Sequence, residues 1–350
     1  MTKQIKIGNI YIGANNKIAI QSMTNTDTRD KLATLSQINA LENAGADIVR
    51  FSVYDNDCAQ NIRYFKDNSK AALVADIHFD YKLAVLSAEN GIDKLRINPG
   101  NIGSSEKVKI VADCAKAHHI PIRIGVNSGS VEQDLLIKYG APTPDALCES
   151  AMRHVRILED VGFYDIVISI KASDVVNNVL ACRKISQMCG YPLHIGVTES
   201  GLDEQAIIKS SIGIGSLLLD NIGSTIRVSL TGDPVKEVYT AKEILRAIGM
   251  DSDGYVDIVS CPTCGRTTGN HEAVVRDIKA ALQSCRPNRK VKIAIMGCVV
   301  NGPGEAKEAD IGIAFAKNGA VVFRHGEVAY SGEREETLKR FKQDCIKECQ

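Results

Sequence analysis

The feature of this sequence that most constrains its fold is the alternation of short apolar runs with amphipathic segments between residues 18 and 230. Each apolar run has the length of a buried strand, and apolar residues in the following segments recur every three to four positions. This alternation is typical of a parallel sheet, whose neighbouring strands are joined by crossover helices. Eight strands are predicted, at Ile18–Met23, Asp47–Val53, Ala72–His78, Lys94–Asn98, Pro121–Val126, Asp165–Ile170, Leu193–Val197 and Thr225–Leu230.

Eight βα units predict a (β/α)8 TIM-type barrel over residues 1–250, because such barrels usually occupy about 250 residues. An open doubly wound sheet is the alternative. It is less favoured because Gly213-Ile214-Gly215 lacks the third glycine of a dinucleotide-binding turn. Two helices are expected between Ser130 and Val161, with a break at residues 140–144.

The segment from Gly249 to Gly254 has the composition of a linker, so a second domain is expected over residues 251–350. Its pattern predicts a compact α/β unit that ends in a helix from about Glu333. The predicted fold class is therefore α/β, a TIM-type barrel followed by a small α/β domain. The predicted strands of that domain include Val256–Ser260, Val291–Met296, Asp310–Phe315 and Ala320–Phe323.

Composition limits the possible partners and the compartment. Lys plus Arg equals Asp plus Glu at 42 each, so bulk charge gives no argument for a nucleic-acid or membrane partner. No apolar run approaches the roughly 18 residues of a membrane helix, and the first residues lack the apolar core of a secretion signal. The eleven cysteines then indicate a reducing cytoplasm, where thiols act as ligands or core residues rather than disulfides.

The cysteines of the last third are arranged as metal ligands. Cys261-Pro262-Thr263-Cys264 is a CxxC turn, and Cys298 opens a glycine- and proline-rich loop that continues to Glu305. Two thiolates of such a turn can reach one centre, and a carboxylate as fourth ligand suits a cluster iron that must open to bind substrate. We therefore predict an iron-sulfur cluster with one exchangeable corner. Zinc held by the three cysteines and His271 is the alternative.

The remaining cysteines are interpreted as buried small residues or incidental helix residues. Cys345 and Cys349 lie four positions apart on the predicted last helix and have no third partner nearby in the sequence. The others of this group are Cys58, Cys114, Cys148, Cys182, Cys189 and Cys285.

Cations stand late in, or just after, separate barrel strands, where the reacting groups of TIM-barrel enzymes lie. They are Arg50, Arg96, Arg123, Lys171 and Arg227. Side chains two or four positions apart on a strand share a face, which pairs Asp76 with His78, Arg96 with Asn98, Arg123 with Asn127, Ser169 with Lys171, and Arg227 with Ser229. Several cations facing one interior favour a multiply charged anion, so we predict a phosphorylated substrate. The alternative is a set of structural salt bridges, with Asp76 and Glu199 as partners.

Candidate proton-transfer groups lie among these residues. Glu199 follows the seventh strand in Thr198-Glu199-Ser200-Gly201, where a carboxylate could donate or accept a proton. His78 and His194 suit core hydrogen bonding as well as catalysis.

Several segments together resemble the 4-hydroxy-3-methylbut-2-enyl diphosphate synthase family of the methylerythritol phosphate route to isoprenoids, in its shorter two-domain bacterial form. They are Gln21-Ser22-Met23-Thr24, Ala75-Asp76-Ile77-His78-Phe79, Arg96-Ile97-Asn98-Pro99-Gly100-Asn101, Arg123-Ile124-Gly125-Val126-Asn127, the Cys261 turn and the loop from Cys298 to Glu305. The resemblance covers nearly the whole chain.

The resemblance implies a reductase that opens the ring of 2-C-methyl-D-erythritol 2,4-cyclodiphosphate and removes a hydroxyl at a [4Fe-4S] cluster. It implies cluster ligation by Cys261, Cys264, Cys298 and Glu305. Diphosphate binding is expected at Arg50, Arg96, Asn98, Arg123, Asn127, Ser169, Lys171, Arg227 and Ser229. Glu199 would be the acid that helps water depart, and Asp76 and His78 are the other catalytic candidates.

The resemblance also implies partners. Electrons would come from a flavodoxin or ferredoxin, because the sequence has no flavin or nicotinamide motif. A homodimer is expected in which the small domain of one subunit caps the barrel of the other.

Two other functions fit parts of the pattern. A lyase or aldolase with metal-independent chemistry could form a Schiff base on Lys171, while the cysteines hold a structural zinc. A non-catalytic regulator could use its cluster to sense iron or oxygen, although the cationic strand ends argue against it.

Overall fold

The computed structural model describes residues 2–251, 253–300, 304 and 307–349, and the chain divides into two compact units, residues 1–250 and 251–350. The strands of the first unit are β1 (Ile5–Ile7), β2 (Ile10–Ile12), β3 (Ala19–Met23), β4 (Ile48–Ser52), β5 (Ala72–Asp76), β6 (Lys94–Arg96), β7 (Ile122–Asn127), β8 (Ile166–Lys171), β9 (His194–Ile195) and β10 (Thr225–Ile226).

Strands β3 to β10 form one parallel sheet of eight strands in the order β8-β7-β6-β5-β4-β3-β10-β9. A parallel bridge between Ile168 of β8 and Leu193 beside β9 joins the two ends of that order. The sheet therefore closes into a barrel, and the predicted TIM-type fold is confirmed.

The helices of this unit follow the strands. They are α1 (Lys31–Ala44), α2 (Asn56–Asp67), α3 (Tyr81–Glu89), α4 (Pro99–Ile102), α5 (Ser105–Ala117), α6 (Gln133–Tyr139), α7 (Pro144–Asp160), α8 (Val175–Met188), α9 (Asp203–Leu219) and α10 (Pro234–Ala247). Five of them begin after an aspartate whose carboxylate accepts backbone N–H groups of the first turn, namely Asp30, Asp55, Asp80, Asp174 and Asp233. These caps satisfy donors that a helix start would leave unpaired.

The predicted break between two helices in residues 130–161 is confirmed. Helix α6 ends at Gly140, whose φ of 75° places it in the left-handed region that favours glycine. Helix α7 begins with Pro144 after the Thr143 cap.

Strands β6, β9 and β10 are shorter than the sequence predicts. Strand β6 ends at Arg96 because helix α4 already begins at Pro99, directly after Asn98. Strand β9 ends at Ile195 before Gly196, where a Cβ would stand 2.3 Å from the carbonyl oxygen of Arg227. Only glycine allows this close approach of the backbone just after β9 to that just after β10.

The antiparallel hairpin of β1 and β2 was not among the predicted elements. Its buried Ile5, Ile7 and Ile12 pack against residues at the amino-terminal ends of the barrel strands, including Ala19 and Ile48. The hairpin therefore closes the amino-terminal end of the barrel with apolar side chains.

The described elements of the second unit are β11 (Val256–Ser260), α11 (His271–Ala281), β12 (Val291–Met296), β13 (Ile311–Phe315), β14 (Gly319–Arg324), β15 (Glu327–Glu333) and α12 (Arg334–Glu348). The strands form one five-stranded sheet in the order β11-β12-β13-β14-β15, and the first three of them are parallel. A buried cluster that includes Ile278, Ile293 and Phe341 joins this sheet to its helices.

Cys345 and Cys349 of this unit are buried in that core, and Cys285 packs against it partly exposed. In the barrel unit, Cys58, Cys148 and Cys182 are buried as predicted, whereas Cys114 and Cys189 are partly exposed. None of the described helices is long and apolar enough to cross a membrane.

Candidate functional site

The carboxyl-terminal end of the barrel brings together five cations, which we call the barrel-mouth cations: Arg50, Arg96, Arg123, Lys171 and Arg227. Four stand on β4, β6, β7 and β8, and Arg227 follows β10 directly. Arg123 is the second residue of β7, so the prediction that it lies late in its strand is wrong, but the register places it beside Arg96 at the end of β6. Burial and mutual repulsion lower the pKa of several of them. Burial lowers the pKa of Arg50 to about 10. The charge of Asp76 opposes this shift, and the charges of Arg227 and Arg96 add to it.

Asp76, the last residue of β5, is the carboxylate partner of two of these cations. Its Oδ2 lies 3.1 Å from Nη2 of Arg50, and its Oδ1 lies 3.2 Å from Nη1 of Arg96. His78 Nε2 lies 3.5 Å from the same Oδ1, although the His78 side chain is 57% exposed. Burial raises the pKa of Asp76, but Arg50, His78 and Arg96 together hold it below its usual range.

Arg123 and Lys171 have no carboxylate partner among the described residues. Arg123 is 2% exposed, and its Nε and Nη1 make no hydrogen bond within the described part of the chain. Burial and the neighbouring Arg50 and Arg96 hold the pKa of Arg123 well below its usual value. Burial, together with Arg227 and Arg123, has the same effect on the pKa of Lys171. Unpaired buried cations are unfavourable without an anion, so these two residues point to an anionic ligand.

The alternative that the barrel-mouth cations form structural salt bridges is thus correct for three of the five. Arg50 and Arg96 share Asp76, and Arg227 pairs with Glu237 of α10 at 3.1 Å. Glu237, which is 2% exposed, was not predicted as a partner. It lies four and seven positions before the buried Ala241 and Ile244, so the helical period could have placed it on the inner face of α10.

A deep polar layer, defined by Gln21, Lys94 and His194, was also missed as a group. All three are fully or almost fully buried, and Lys94 Nζ lies 3.5 Å from Oε1 of Gln21. Burial and Arg123 lower the pKa of Lys94 and of His194 well below their usual values. Lys94 precedes Arg96 by two positions on β6, so the two-residue period could have placed it on the same face.

The four uncharged residues predicted to bind substrate lie on or just after four of the barrel strands. Asn98 is 4% exposed and its Oδ1 accepts the backbone N–H of Gly125 at 2.9 Å. Asn127 ends β7, where its backbone N–H donates to Ser130 Oγ at 2.9 Å. Ser169 is buried on β8 two positions before Lys171, and Ser229 is half-buried after β10.

Glu199 stands in the loop after β9 and is exposed. Its φ of 53° lies in the left-handed region, which non-glycine residues adopt rarely. Such a backbone outlier at the carboxyl-terminal end of a barrel is a reason to test the residue for function.

In the second unit, two cysteine-bearing turns follow adjacent parallel strands. Cys261 comes directly after β11, and Gly297-Cys298 comes directly after β12. The Gly297 N–H donates to Cys261 Sγ at 3.1 Å, and a Cβ on Gly297 would stand 3.5 Å from that sulfur. The backbone N–H of Arg266 lowers the pKa of the exposed Cys264 thiol. We call Cys261, Cys264 and Cys298 the cysteine edge.

The cysteine edge fits a thiolate-ligated metal centre. Backbone N–H groups donate to Cys261 and Cys264, and such bonds stabilise the thiolate, which is the form that binds metal. Within the residues the structure describes, no group of three or more His, Cys, Asp or Glu side chains is arranged around one metal position. Glu305, the predicted fourth ligand, lies outside the described residues.

His271, the first residue of α11, keeps the zinc alternative open. Its Nε2 lies 3.9 Å from Cys261 Sγ, and the residue is 3% exposed. Burial and Arg334 lower the pKa of His271, which favours the neutral ring that a metal requires.

The fold and these residues define a TIM-barrel protein whose barrel end is rich in buried cations and whose second unit carries a cysteine edge. Comparison with known proteins makes the assignment specific. Residues 2–242 match the GcpE TIM-barrel domain, and residues 257–347 match the GcpE protein C-terminal domain. The chain belongs to the GcpE family.

Three bacterial relatives are named 4-hydroxy-3-methylbut-2-en-1-yl diphosphate synthase (flavodoxin). The Clostridium perfringens protein is 53% identical over 97% of this chain and 96% of its own length. The Ruminiclostridium cellulolyticum protein is 54% identical over 93% of this chain and 92% of its own length. The Fusobacterium nucleatum protein is 51% identical over 97% of this chain and 96% of its own length.

Solved structures of remote similarity support the fold alone. The N-acetylneuraminic acid synthetase of Leptospira borgpetersenii has a TM-score of 0.50 at 14% identity, over 71% of this chain and 91% of that chain. A truncated 3-deoxy-D-arabino-heptulosonate 7-phosphate synthase of Thermotoga maritima also has a TM-score of 0.50 at 14% identity. The match covers 71% of this chain and 94% of that chain.

Proposed function

We propose that this chain catalyses the reductive ring opening and dehydroxylation of 2-C-methyl-D-erythritol 2,4-cyclodiphosphate to 4-hydroxy-3-methylbut-2-enyl diphosphate. This is an oxidoreductase step of non-mevalonate isoprenoid biosynthesis. Family membership and the names of the relatives support it over the lyase and the regulator. The reaction takes up an electron pair and two protons and releases one water.

The structural observation that carries the proposal is a pair of buried cations, Arg123 and Lys171, for which the described residues provide no carboxylate partner. A diphosphate supplies the missing negative charge, and each charge-assisted hydrogen bond contributes about 1.5–3 kcal/mol. The other barrel-mouth cations complete the diphosphate site in our proposal. Asp76 holds Arg50 and Arg96 in place, and Asn98, Asn127, Ser169 and Ser229 provide neutral contacts.

Proton transfer is proposed for the exposed polar groups at the same end of the barrel. Glu199 would protonate the departing hydroxyl, so that water rather than hydroxide leaves. His78, whose Nε2 lies 3.5 Å from Oδ1 of Asp76, would be oriented by that carboxylate. Asp76 itself stays ionised, because its lowered pKa keeps the proton off at neutral pH.

We propose that Cys261, Cys264, Cys298 and Glu305 hold a [4Fe-4S] cluster. When bound, such a cluster supplies electrons and a Lewis-acidic iron. The N–H donors at Cys261 and Cys264 stabilise thiolates for this purpose, and the domain arrangement is a barrel unit for substrate and a second unit for the cluster.

A flavodoxin is the proposed electron donor, with a ferredoxin as the alternative, since the relatives carry flavodoxin in their names. We place the chain in the cytoplasm, where its eleven free cysteines would stay reduced.

We also propose a homodimer in which the second unit caps the partner's barrel. An exposed apolar row on α9, formed by Ile208, Ile212 and Leu219, supports a second copy as neighbour. A sedimentation mass near 37.9 kDa, that of one chain, would contradict the dimer.

The proposed function is tested by metal content and turnover on protein purified without oxygen. We expect about four iron and four sulfide per chain and reduction of the cyclodiphosphate with a chemical reductant. Cys298→Ser should lose the iron, whereas Cys114→Ser, outside the cysteine edge, should keep it. One zinc and no sulfide per chain would contradict the cluster and favour the site that includes His271.

A further inference from the structure

Glu237 is a buried carboxylate that the proposed reaction does not use. It stands on α10 and is 2% exposed. Its Oε2 accepts from Arg227 Nε at 3.1 Å and from Ser22 Oγ at 2.8 Å. Its Oε1 accepts from Arg227 Nη2 at 3.1 Å and from the backbone N–H of Leu230 at 3.1 Å. Each oxygen thus has two donors, which matches the capacity of an ionised carboxylate.

The same contacts leave part of Arg227 free. A guanidinium has five N–H groups, and two of them go to Glu237. Nη1 lies 3.6 Å from the sulfur of Met23, which takes a third. Among the contacts of the described residues, one N–H on each terminal nitrogen remains without a partner, and a guanidinium can use one N–H from each terminal nitrogen to bind an oxyanion in a bidentate way.

The residues around Arg227 come from three parts of the barrel. Ser22 and Met23 end β3, Glu237 belongs to α10, and Leu230 follows the segment that carries Ser229. The Ser22-Met23 dipeptide, part of the conspicuous Gln21-Ser22-Met23-Thr24 segment, therefore has a structural task. A side chain held from several elements keeps one orientation before the ligand arrives.

We infer that Glu237 is a positioning residue, which with Ser22 and Met23 holds Arg227 so that its two remaining N–H groups face the substrate diphosphate. The bond to Leu230 fixes the segment of Ser229 at the same time. The inference rests on the proposed function, because the cyclodiphosphate is the anion that Arg227 is proposed to bind.

The first test is Glu237→Gln in the iron-loaded enzyme. The amide keeps the size of the side chain but turns an N–H₂ group toward Arg227, so the guanidinium must reorient. We expect KM for the cyclodiphosphate to rise about tenfold, the size of one charge-assisted hydrogen bond, with kcat changed less than about twofold. The control is Glu243→Gln on the exposed face of the same helix, which should leave both constants unchanged.

A double-mutant cycle separates positioning from general stability. If Glu237 acts through Arg227, the KM increase from Glu237→Gln disappears when Arg227 is already Gln. Equal increases in both backgrounds, or an unchanged KM in the single variant, would overturn the inference. If Glu237→Gln fails to fold, Ser22→Ala takes its place. Ser22 acts on Arg227 only through Glu237, so the expected KM increase is smaller, about threefold, and an unchanged KM is the contrary result.

Failure of the proposed function is distinguishable from failure of the inference. Wild-type enzyme that neither binds nor reduces the cyclodiphosphate would remove both. Wild-type turnover that Arg227→Gln impairs and Glu237→Gln leaves intact would remove the positioning role alone.

Discussion

The two ends of the barrel bury opposite kinds of side chain. At the amino-terminal end, Ile5, Ile7 and Ile12 of the β1–β2 hairpin pack against apolar residues near the starts of the barrel strands. At the carboxyl-terminal end, Arg123 and Lys171 are also buried, but their side chains are basic and have no carboxylate partner among the described residues. Apolar burial stabilises the fold, whereas unpaired buried charge destabilises it and is retained where a ligand needs it.

The substitution Arg123→Met tests the cationic end of the barrel and should have the largest effect. This change removes the side chain with two unpartnered nitrogens, so kcat/KM for the cyclodiphosphate should fall about a thousandfold, or about 4 kcal/mol. Without substrate, the free energy of unfolding should stay the same or rise, because an uncompensated charge is gone. Anaerobic steady-state kinetics and urea unfolding measure the two effects. Arg156→Met, at an exposed position of α7, is the matched control. Loss of stability with normal kinetics would make Arg123 a structural residue.

Ile7→Ala tests the other end. Removing a fully buried side chain from the hairpin should lower the free energy of unfolding by about 3 kcal/mol. The kinetics of the folded enzyme should not change, since the hairpin lies at the end of the strands opposite the barrel-mouth cations. Lys6→Met on the exposed face of the same strand should alter stability by less than about 0.5 kcal/mol. A large change in KM from Ile7→Ala would break the division between the two ends.

Lys94 lies deeper in the barrel than Arg96, and its substitution should change the free energy of unfolding by a smaller amount that depends on pH. Burial, Arg123 and Arg50 lower its pKa below the ordinary 10.5, opposed by Asp93. Between the lowered value and 10.5, unfolded Lys94 binds a proton that folded Lys94 does not, so stability rises with pH. Lys94→Met should therefore be more stable than wild type near neutral pH, and the difference should shrink toward pH 10.5 by at most about 1.4 kcal/mol per pH unit. Urea unfolding at several pH values measures it. A difference independent of pH would show that Lys94 is charged in the folded state.

Much of the fold could be predicted from the sequence, because the central strands carry long apolar runs. The hairpin was missed although Ile5-Lys6-Ile7 and Ile10-Tyr11-Ile12 alternate around Gly8-Asn9, a hairpin signal. Each strand has only three residues, which is below the length on which periodicity gives a clear answer.

The candidate site was predictable where a cation ends a strand and was missed where the partner comes from elsewhere. Arg96 and Asp76 follow from strand register. Glu237 does not, because contact with Arg227 depends on how α10 packs against β3 and β10. Periodicity places a residue on a face of its own element, and the carboxylate that will neutralise a given cation is decided by tertiary packing.

The most direct test of the cationic barrel end is calorimetric titration of the iron-loaded full chain with 2-C-methyl-D-erythritol 2,4-cyclodiphosphate. We expect one binding site per chain, normal affinity in Ile7→Ala and binding weakened about a thousandfold in Arg123→Met. Equal affinity in wild type and Arg123→Met, or no binding to the wild-type enzyme, would contradict the assignment of the buried cations to the substrate diphosphate.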